Sequence, residues 1–293
     1  MDGYVATIGF FDGIHVGHQK LISFVKQVAK YNRLKSLVFT FDKVAKLDKN
    51  FIYPFEKKIE ILKSTGVNKI VVLQYDNIRS LTPEEFFDRF IIGNHISILL
   101  VGNDFRFGKN ASGDTNLLIR LAKKYKITVF IIKDISILIN NVCYSVSSSL
   151  IRNKILNSEF YIAEQMLGRE YYVAGEVIKG KGIARKLGAP TINFKVEQSI
   201  IVPLGIVLGI SKLKNSFYPS IAYFGFKPTF GENQLSCEVH ILEKFIKGKF
   251  NKIEFRPILK IRDDKKFKNL NELKEQIKKD IVFAKNFFKN RKF

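Results

Sequence analysis

Two histidines near the amino terminus, His15 and His18, have the type and spacing to do chemistry. Gly17 lies between them, and an apolar, β-prone stretch precedes them. Imidazole groups can donate hydrogen bonds to phosphate oxygens, and a helix amino terminus adds free N–H groups and partial positive charge. A structural role at a turn and a zinc site are the alternatives, although the two cysteines are too distant to supply zinc ligands. The pair therefore favours a nucleotide phosphate site.

A second group of polar side chains lies in the carboxyl-terminal half. Glu238 shares a strand face with His240, and a carboxylate can act as a general base, although alternation alone indicates only an outward-facing residue. Thr191 and Asn193 carry oxygens of the kind that Mg²⁺ prefers, although Thr191 could equally be a turn residue. A glycine-rich stretch nearby could fold around phosphates through its N–H groups or be a simple turn: Gly180, Lys181 and Gly182.

The elements that must position the histidines alternate between strand and helix. Apolar runs predict strands at 4–10, 35–41, 69–75, 96–102 and 128–133. Amphipathic stretches predict helices at 19–31, 56–64, 83–90, 116–124 and 148–167. Short apolar strands separated by helices are typical of a parallel sheet covered on both faces, which binds ligands at the carboxyl ends of its strands. The first half is therefore predicted to be α/β, with the histidines at such an end.

The pattern changes near residues 168–171, which divides the chain into predicted domains 1–168 and 171–293. Short β-prone runs separated by turn residues predict strands at 171–178, 200–210, 220–224, 236–242 and 251–261. Such spacing favours an antiparallel barrel or sandwich. Asn269, with Glu272 three residues later, predicts the start of a long carboxyl-terminal helix.

Composition limits the possible classes of protein. The chain has 293 residues, 46% of them hydrophobic, and no apolar run approaches the ~18 residues of a membrane span. We expect no signal peptide and, because there are only two cysteines, a reducing cytoplasmic setting. The net charge of +22 could indicate a polyanionic partner, but the basic residues are dispersed and a general lysine bias explains them better. No nucleic acid or membrane partner is therefore expected, and the oligomeric state is left open.

Several segments of the chain are similar to the motifs of known enzymes. His15-Val16-Gly17-His18 is similar to the HxGH signature of nucleotidyltransferases, and the residues before it resemble a TIGNFDG stretch. Further segments resemble DFRFG, SGD, SSTRIR, GxPTAN, RPTFG and EVH motifs and a closing barrel segment, at 104–108, 112–114, 146–152, 188–193, 227–231, 238–240 and 259–267. In these motifs and in their order, the chain resembles the bacterial bifunctional riboflavin kinase/FAD synthetase family.

The resemblance implies a Rossmann-like nucleotidyltransferase domain with a parallel sheet, followed by an antiparallel β-barrel with a carboxyl-terminal helix. It implies small-molecule substrates and two reactions. The second domain would phosphorylate riboflavin with ATP and Mg²⁺ to give FMN. The first domain would adenylylate FMN with ATP to give FAD and pyrophosphate.

The resemblance also assigns roles to residues. Glu238 is expected to be the kinase base, with Thr191 and Asn193 as Mg²⁺ ligands, and His15 and His18 are expected to stabilise phosphate during adenylyl transfer. The nucleotide and flavin site of the first domain is expected to include Gly9, Phe11, Asp12, Gly17, Asp104, Arg106, Ser148, Ser149 and Arg152. That of the second domain is expected to include Gly180, Lys181, Gly182, Pro190, Thr191 and Asn193. Phe105 and Phe107 are expected to pack in the core rather than to stack on flavin.

Four departures from the family pattern stand out. Phe10 stands where the family usually has Asn, Leu150 where it has Arg, and Ala184 where Gly is common; the usual Pro-His-Pro after Asp42 is absent. Three of the four touch the adenylyl-transfer half. The alternatives are therefore an enzyme in which only the kinase half is fully active, or another HxGH nucleotidyltransferase.

Overall fold

The computed structural model describes residues 3–43, 50–180, 183–197, 199–226, 235–242, 248, 250–289 and 291. The chain divides into two compact units, the first comprising Met1–Leu150 with Met166–Gly168 and the second comprising Ile151–Gln165 with Arg169–Phe293. The segment Ile151–Gln165 thus groups with the second unit, and the domain boundary near 168–171 stays a prediction.

The first unit contains a five-stranded parallel sheet with strand order β3-β2-β1-β4-β5, which confirms the predicted fold class. Its strands are β1 (Tyr4–Ile8), β2 (Lys35–Phe41), β3 (Lys69–Leu73), β4 (Ile96–Gly102) and β5 (Thr128–Ile132). Its helices are α1 (Val16–Tyr31), α2 (Phe55–Ser64), α3 (Tyr75–Ile78), α4 (Pro83–Phe86) and α5 (Thr115–Lys124), with a π-helical segment, Phe87–Ile92, directly after α4.

Both faces of the sheet are buried, and successive side chains of the central strands point to opposite faces. Val5 and Ala6 of β1 point to opposite faces: Val5 joins an apolar cluster with α1 and α2, and Ala6 joins one with the helices around Phe87. Both are fully buried, as expected for a central parallel strand. Because β1 lies between β2 and β4, the turn that follows it is held at the middle of the sheet's carboxyl edge.

One prediction for the first half was wrong in detail, and one element was missed. The predicted helix 148–167 is two helices, α6 (Ser148–Leu156) and α7 (Phe160–Leu167), because Ser158 takes a φ of 62° and ends the helical path. A short hairpin of β6 (Ser136–Ile139) and β7 (Val142–Ser145) was not predicted. Its turn, Asn140-Asn141, has positive φ at both residues, a typical two-residue hairpin geometry.

The second unit contains a closed antiparallel barrel with strand order β10-β11-β12-β9-β8-β13, as predicted. Its elements are β8 (Val173–Ile178), α8 (Ile183–Lys186), β9 (Ile192–Lys195), β10 (Gly205–Leu213), β11 (Ser216–Phe226), β12 (Leu235–Ile241) and β13 (Lys252–Arg262), followed by helix α9 (Leu270–Lys289). The strand predicted at 200–210 begins only at Gly205, although Ile200–Val202 are buried. Strand β9 was not predicted.

Helix α9 closes the second unit by packing on the outside of the barrel. Its Ala284 and Phe288 lie against Leu208 and Ile221 in one apolar cluster. Asn269 caps it as predicted, because its Oδ1 accepts a hydrogen bond from the Glu272 N–H at 2.9 Å. In the parts of the chain that the structure describes, no helix is long and apolar enough to cross a membrane.

Candidate active sites

The turn between β1 and α1, residues 9–15 and here called the histidine turn, ends in His15, and His18 lies in the first turn of α1. His15 is the N-cap of α1, and its Nδ1 accepts a hydrogen bond from the His18 N–H at 3.4 Å. The two imidazole rings stack with centroids 3.6 Å apart, and the Phe11 ring meets His18 edge-on at 5.0 Å. The sequence prediction of two histidines at a helix start is confirmed, and the first helical turn presents backbone N–H groups beside them.

The path of this turn is conformationally unusual. Phe11, Gly13 and Ile14 have φ values of 56°, 73° and 42°, in the left-handed region that costs energy for residues other than glycine. Contacts from elsewhere hold the turn in place: Asp12 Oδ1 accepts from the Ile52 N–H at 3.0 Å, and the Ser148 hydroxyl donates to the Asp12 carbonyl at 2.9 Å. The turn is therefore fixed by its surroundings.

Two glycines of the predicted site allow close packing within this turn. A Cβ at Gly9 would lie 2.9 Å from the Phe11 ring, and one at Gly17 would lie 3.1 Å from the His15 ring. Either side chain would push an aromatic ring out of place. Gly9 and Gly17 therefore serve the geometry of Phe11 and His15, and close approach of a ligand to the Gly17 backbone stays a prediction.

The turn after β4 places Asp104 and Arg106 at the same edge of the sheet as the histidines. Both side chains are exposed, and Arg106 Nη1 lies 3.7 Å from Asp114 Oδ2. Their roles at a nucleotide or flavin stay predictions. Phe107 is buried and Phe105 packs against the same apolar cluster, which confirms that both contribute to the core.

Ser148 and Ser149 begin α6, as expected, but the hydroxyl of Ser148 holds the histidine turn through Asp12. The serine that caps the helix is Ser147, whose Oγ accepts from the Leu150 N–H at 3.2 Å. Arg152 lies one turn further along α6. Phosphate binding by Ser148, Ser149 and Arg152 stays a prediction.

The second candidate site forms on the barrel where β9 meets β12. Glu238 lies directly opposite Asn193 in the strand register, and Thr191 Oγ1 donates to Glu238 Oε2 at 3.0 Å. A Cβ at Gly180 would overlap the side chain of Asn193, so a larger residue here would displace that amide. The structure therefore brings together four residues predicted from sequence: Glu238, Thr191, Asn193 and Gly180. Lys181, Gly182 and the segment 227–231 lie outside the described residues.

His240 supports this site from the next outward-facing position of β12. Its Nδ1 lies 2.8 Å from the Pro190 carbonyl oxygen, which can only accept, so Nδ1 carries the proton. Burial lowers the pKa of His240, Lys285 adds to the lowering, and the bond to Pro190 opposes it. The neutral imidazole of His240 therefore holds Pro190, the residue before Thr191, through this hydrogen bond.

Sequence reasoning missed two residues next to these sites. Tyr223 lies opposite Glu238 on β11 and donates to Asp264 Oδ2 at 2.8 Å; burial raises its pKa, and the hydrogen bond to Asp264 raises it further. Lys58 on α2 is 5% exposed and contacts the histidine turn. The one signal for Lys58 was its position four residues before Leu62, on the buried face of a helix.

Comparison with known proteins matches two successive stretches of the chain to two different family models. Residues 1–146 match a family model described as FAD synthetase, and residues 167–288 match one described as riboflavin kinase. The bifunctional riboflavin kinase/FMN adenylyltransferase of Buchnera aphidicola subsp. Acyrthosiphon pisum (strain APS) is 33% identical over 297 residues, covering 97% of this chain and 93% of that protein. The chain belongs to the bifunctional riboflavin kinase/FMN adenylyltransferase family. The family member of Bacillus subtilis (strain 168) is 32% identical, covering 98% of this chain and 93% of that protein.

A solved structure matches over most of the chain as well. A protein from Streptococcus pneumoniae, described as a macrolide-efflux protein, has a TM-score of 0.81 and 26% identity, and the match covers 97% of this chain and 94% of that one. The name of that protein differs from those of the bifunctional family members. The membership of this chain rests on the two family models and on relatives that are similar across both halves.

Proposed function

We propose that this chain makes FAD from riboflavin in two ATP-dependent steps. The barrel unit phosphorylates riboflavin to FMN with release of ADP, and the first unit transfers AMP from ATP to FMN with release of pyrophosphate. The observation that carries the proposal is the match of residues 1–146 to an FAD synthetase model and of residues 167–288 to a riboflavin kinase model.

In the kinase step, Glu238 takes the proton of the ribityl hydroxyl as the hydroxyl oxygen bonds to the γ-phosphorus. The bond from that phosphorus to the β-phosphate oxygen then breaks, and ADP leaves. The hydroxyl of Thr191, held at 3.0 Å by Glu238, keeps the carboxylate in one orientation. Asn193 lies across the strand pair from it.

The oxygen donors at this site fit Mg²⁺. Thr191 and Asn193 offer a hydroxyl and an amide oxygen beside the carboxylate of Glu238, and Mg²⁺ prefers oxygen ligands while keeping several waters. Thr191 and Asn193 would hold the ion. When bound, it supplies positive charge next to the transferring phosphoryl group.

In the adenylyl-transfer step, a phosphate oxygen of FMN attacks the α-phosphorus of ATP and the bond to the β-phosphate breaks. The nucleophile is already anionic, so the demand is for charge stabilisation and alignment rather than for a base. His15 and His18, which stack on each other at the start of α1, donate to the phosphates together with the helix N–H groups. Ser148 fixes the turn on which they sit.

We also propose a cytoplasmic location. Cys143 and Cys237 are both free cysteines, Cys143 exposed and Cys237 buried. An exposed free thiol suits a reducing compartment.

A time course tests the function. Purified protein with riboflavin, ATP and MgCl₂ is expected to accumulate FMN and then FAD by chromatography. Absence of FMN would contradict the kinase assignment. FMN without FAD would favour the second candidate, an enzyme in which only the kinase half is fully active, for which Phe10 and Leu150 are the sequence basis.

A pair of matched variants separates the two steps. His18→Asn is expected to reduce FAD formation from supplied FMN while FMN formation from riboflavin continues at the wild-type rate. His95→Asn is the control: it is the same change at an exposed histidine of the first unit, and asparagine tolerates the positive φ of 55° found there. Equal loss of both activities in His18→Asn would contradict the two-site assignment.

A further inference from the structure

A buried lysine ties together the carboxyl ends of two neighbouring strands in the first unit. Lys58 lies on α2 and is only 5% exposed. Its Nζ donates to the carbonyl of Phe41 at 2.7 Å, at the end of β2, and to the carbonyl of Phe10 at 3.2 Å, just after β1. The Phe10 carbonyl also accepts from the Thr40 hydroxyl at 3.1 Å. Lys58 thus holds Phe10, near the start of the histidine turn, against β2.

The ring of Phe10 faces the same ammonium group. Lys58 Nζ lies 4.0 Å from the centroid of the Phe10 ring, which itself packs on Phe51 at 5.4 Å. A cation this close to an aromatic face, in a largely desolvated place, is attracted by the ring's quadrupole. Phe10, one of the residues that depart from the family pattern, is therefore the one whose ring covers the buried cation.

Two carboxylates balance the charge. Burial lowers the pKa of Lys58 to about 8, and Asp12 and Asp42 oppose the lowering. The group is therefore cationic at neutral pH. Asp12 belongs to the turn itself, and Asp42 Oδ1 accepts from the Tyr75 N–H at 2.8 Å. A buried cation is costly unless such partners surround it.

The turn depends on contacts of this kind because its backbone is strained. Phe11 follows Phe10 directly and has a φ of 56°, and Ile14, which precedes His15, has a φ of 42°. Residues in this region persist when their surroundings over-determine them. Lys58 fixes the entry to the turn, just as Ser148 fixes its middle through the Asp12 carbonyl.

We propose that Lys58 is a positioning residue for adenylyl transfer: seated on the Phe10 ring and bonded to the Phe10 carbonyl, it sets the turn that places His15 and His18. The role in catalysis rests on the proposed function, whereas the placement of the two imidazoles does not. The two parts can therefore be measured separately.

The chain has four histidines, which makes the placement visible by NMR. In protein with labelled histidine, Lys58→Met is expected to shift the signals of His15 and His18 and to leave those of His95 and His240 in place. Lys57→Met is the matched control on the same helix, since Lys57 Nζ pairs instead with Glu60 at 2.7 Å. Lys57→Met is expected to shift none of the four histidine signals.

Activity gives the second readout. Because a misplacement of about 1 Å costs up to about 100-fold in rate, Lys58→Met is expected to slow FAD formation from FMN by about 10- to 100-fold. FMN formation on the same protein should stay within about twofold, and Lys57→Met should resemble the wild type in both reactions. If the wild-type protein makes no FAD, both the proposed adenylyl transfer and the role of Lys58 in it are wrong. The NMR spectra would still decide whether Lys58 sets the positions of His15 and His18.

Unmoved His15 and His18 signals in Lys58→Met would overturn the proposal, and so would equal shifts of all four histidines. If Lys58→Met does not fold, Phe10→Leu carries the test, because it removes the ring beneath the ammonium and leaves both carbonyl bonds. The His15 and His18 signals must then move in Phe10→Leu. If they do not, the proposal is wrong.

Discussion

Replacement of Glu238 by glutamine tests the kinase site in a way that separates chemistry from folding. Glutamine has the size and shape of glutamate, and its side-chain oxygen can still accept the Thr191 hydroxyl that lies 3.0 Å away. The hydrogen bond loses its charge assistance, which is worth about 1 kcal/mol of stability. Glutamine cannot accept a proton at neutral pH, so it abolishes the proposed base.

The expected kinetic effect is far larger than the effect on stability. Loss of a positioned general base costs about 10²- to 10⁴-fold in rate, which corresponds to about 3–5 kcal/mol in the activation barrier. Glu238→Gln should therefore lower kcat for FMN formation by that factor. FAD formation from supplied FMN should remain at the wild-type rate, because the histidine turn lies in the other unit.

The assay follows FMN and FAD by chromatography, from riboflavin in one reaction and from FMN in the other, with thermal unfolding measured in parallel. Glu254→Gln is the matched control: it is the same change on barrel strand β13, where Glu254 pairs with Lys212 at 3.5 Å on a partly exposed face. A Glu238→Gln enzyme that keeps more than about a tenth of the kinase rate would refute the role of Glu238 as base.

Three further expectations concern stability. Arg262 donates to both carboxylate oxygens of Asp280, and both side chains are largely buried. Asp280→Ala leaves the Arg262 cation without this partner, so it should destabilise the second unit by about 3–5 kcal/mol in urea unfolding. The double variant Arg262→Met with Asp280→Leu should recover part of that loss. Asp114→Ala should cost about 1 kcal/mol, since Asp114 Oδ1 accepts the Leu117 N–H at 2.8 Å as the cap of α5. Burial lowers the pKa of Lys58 from 10.5 to about 8. Between these two pH values the unfolded chain therefore binds more protons than the folded chain. The free energy of unfolding should rise by about 2 kcal/mol from pH 8 to pH 10. Lys58→Met should lack that rise in urea unfolding at the two pH values.

Much of the fold could be predicted because its signals are local. Apolar runs separated by amphipathic helices indicated the parallel sheet, and the histidine spacing indicated the start of α1. The errors occurred where local pattern and tertiary packing differ. Ile200–Val202 is apolar and buried without being a strand, and the break at Ser158 interrupts an otherwise continuous helical pattern.

The candidate sites were predicted unevenly for a related reason. Motif residues such as His15 and Thr191 could be recognised in the sequence. The structure adds which side chains and backbone groups they contact. Lys58 and Tyr223 could not be, because their significance depends on strand ends and strand pairing that bring distant residues together. A buried lysine on a helix has no sequence signature apart from its register with apolar neighbours.

The pairing of Glu238 with Asn193 has a consequence for how this protein can vary. The two residues face each other only because β9 and β12 align in one register, and side chains alternate between the faces of a strand. Inserting a single residue within β12 before Glu238 would turn its carboxylate into the barrel and bring Cys237 or Val239 outward. Length changes should therefore be tolerated in largely exposed connecting loops such as 265–268, but should abolish kinase activity within these two strands. An insertion scan across both strands and that loop would map the boundary between permissive and forbidden positions.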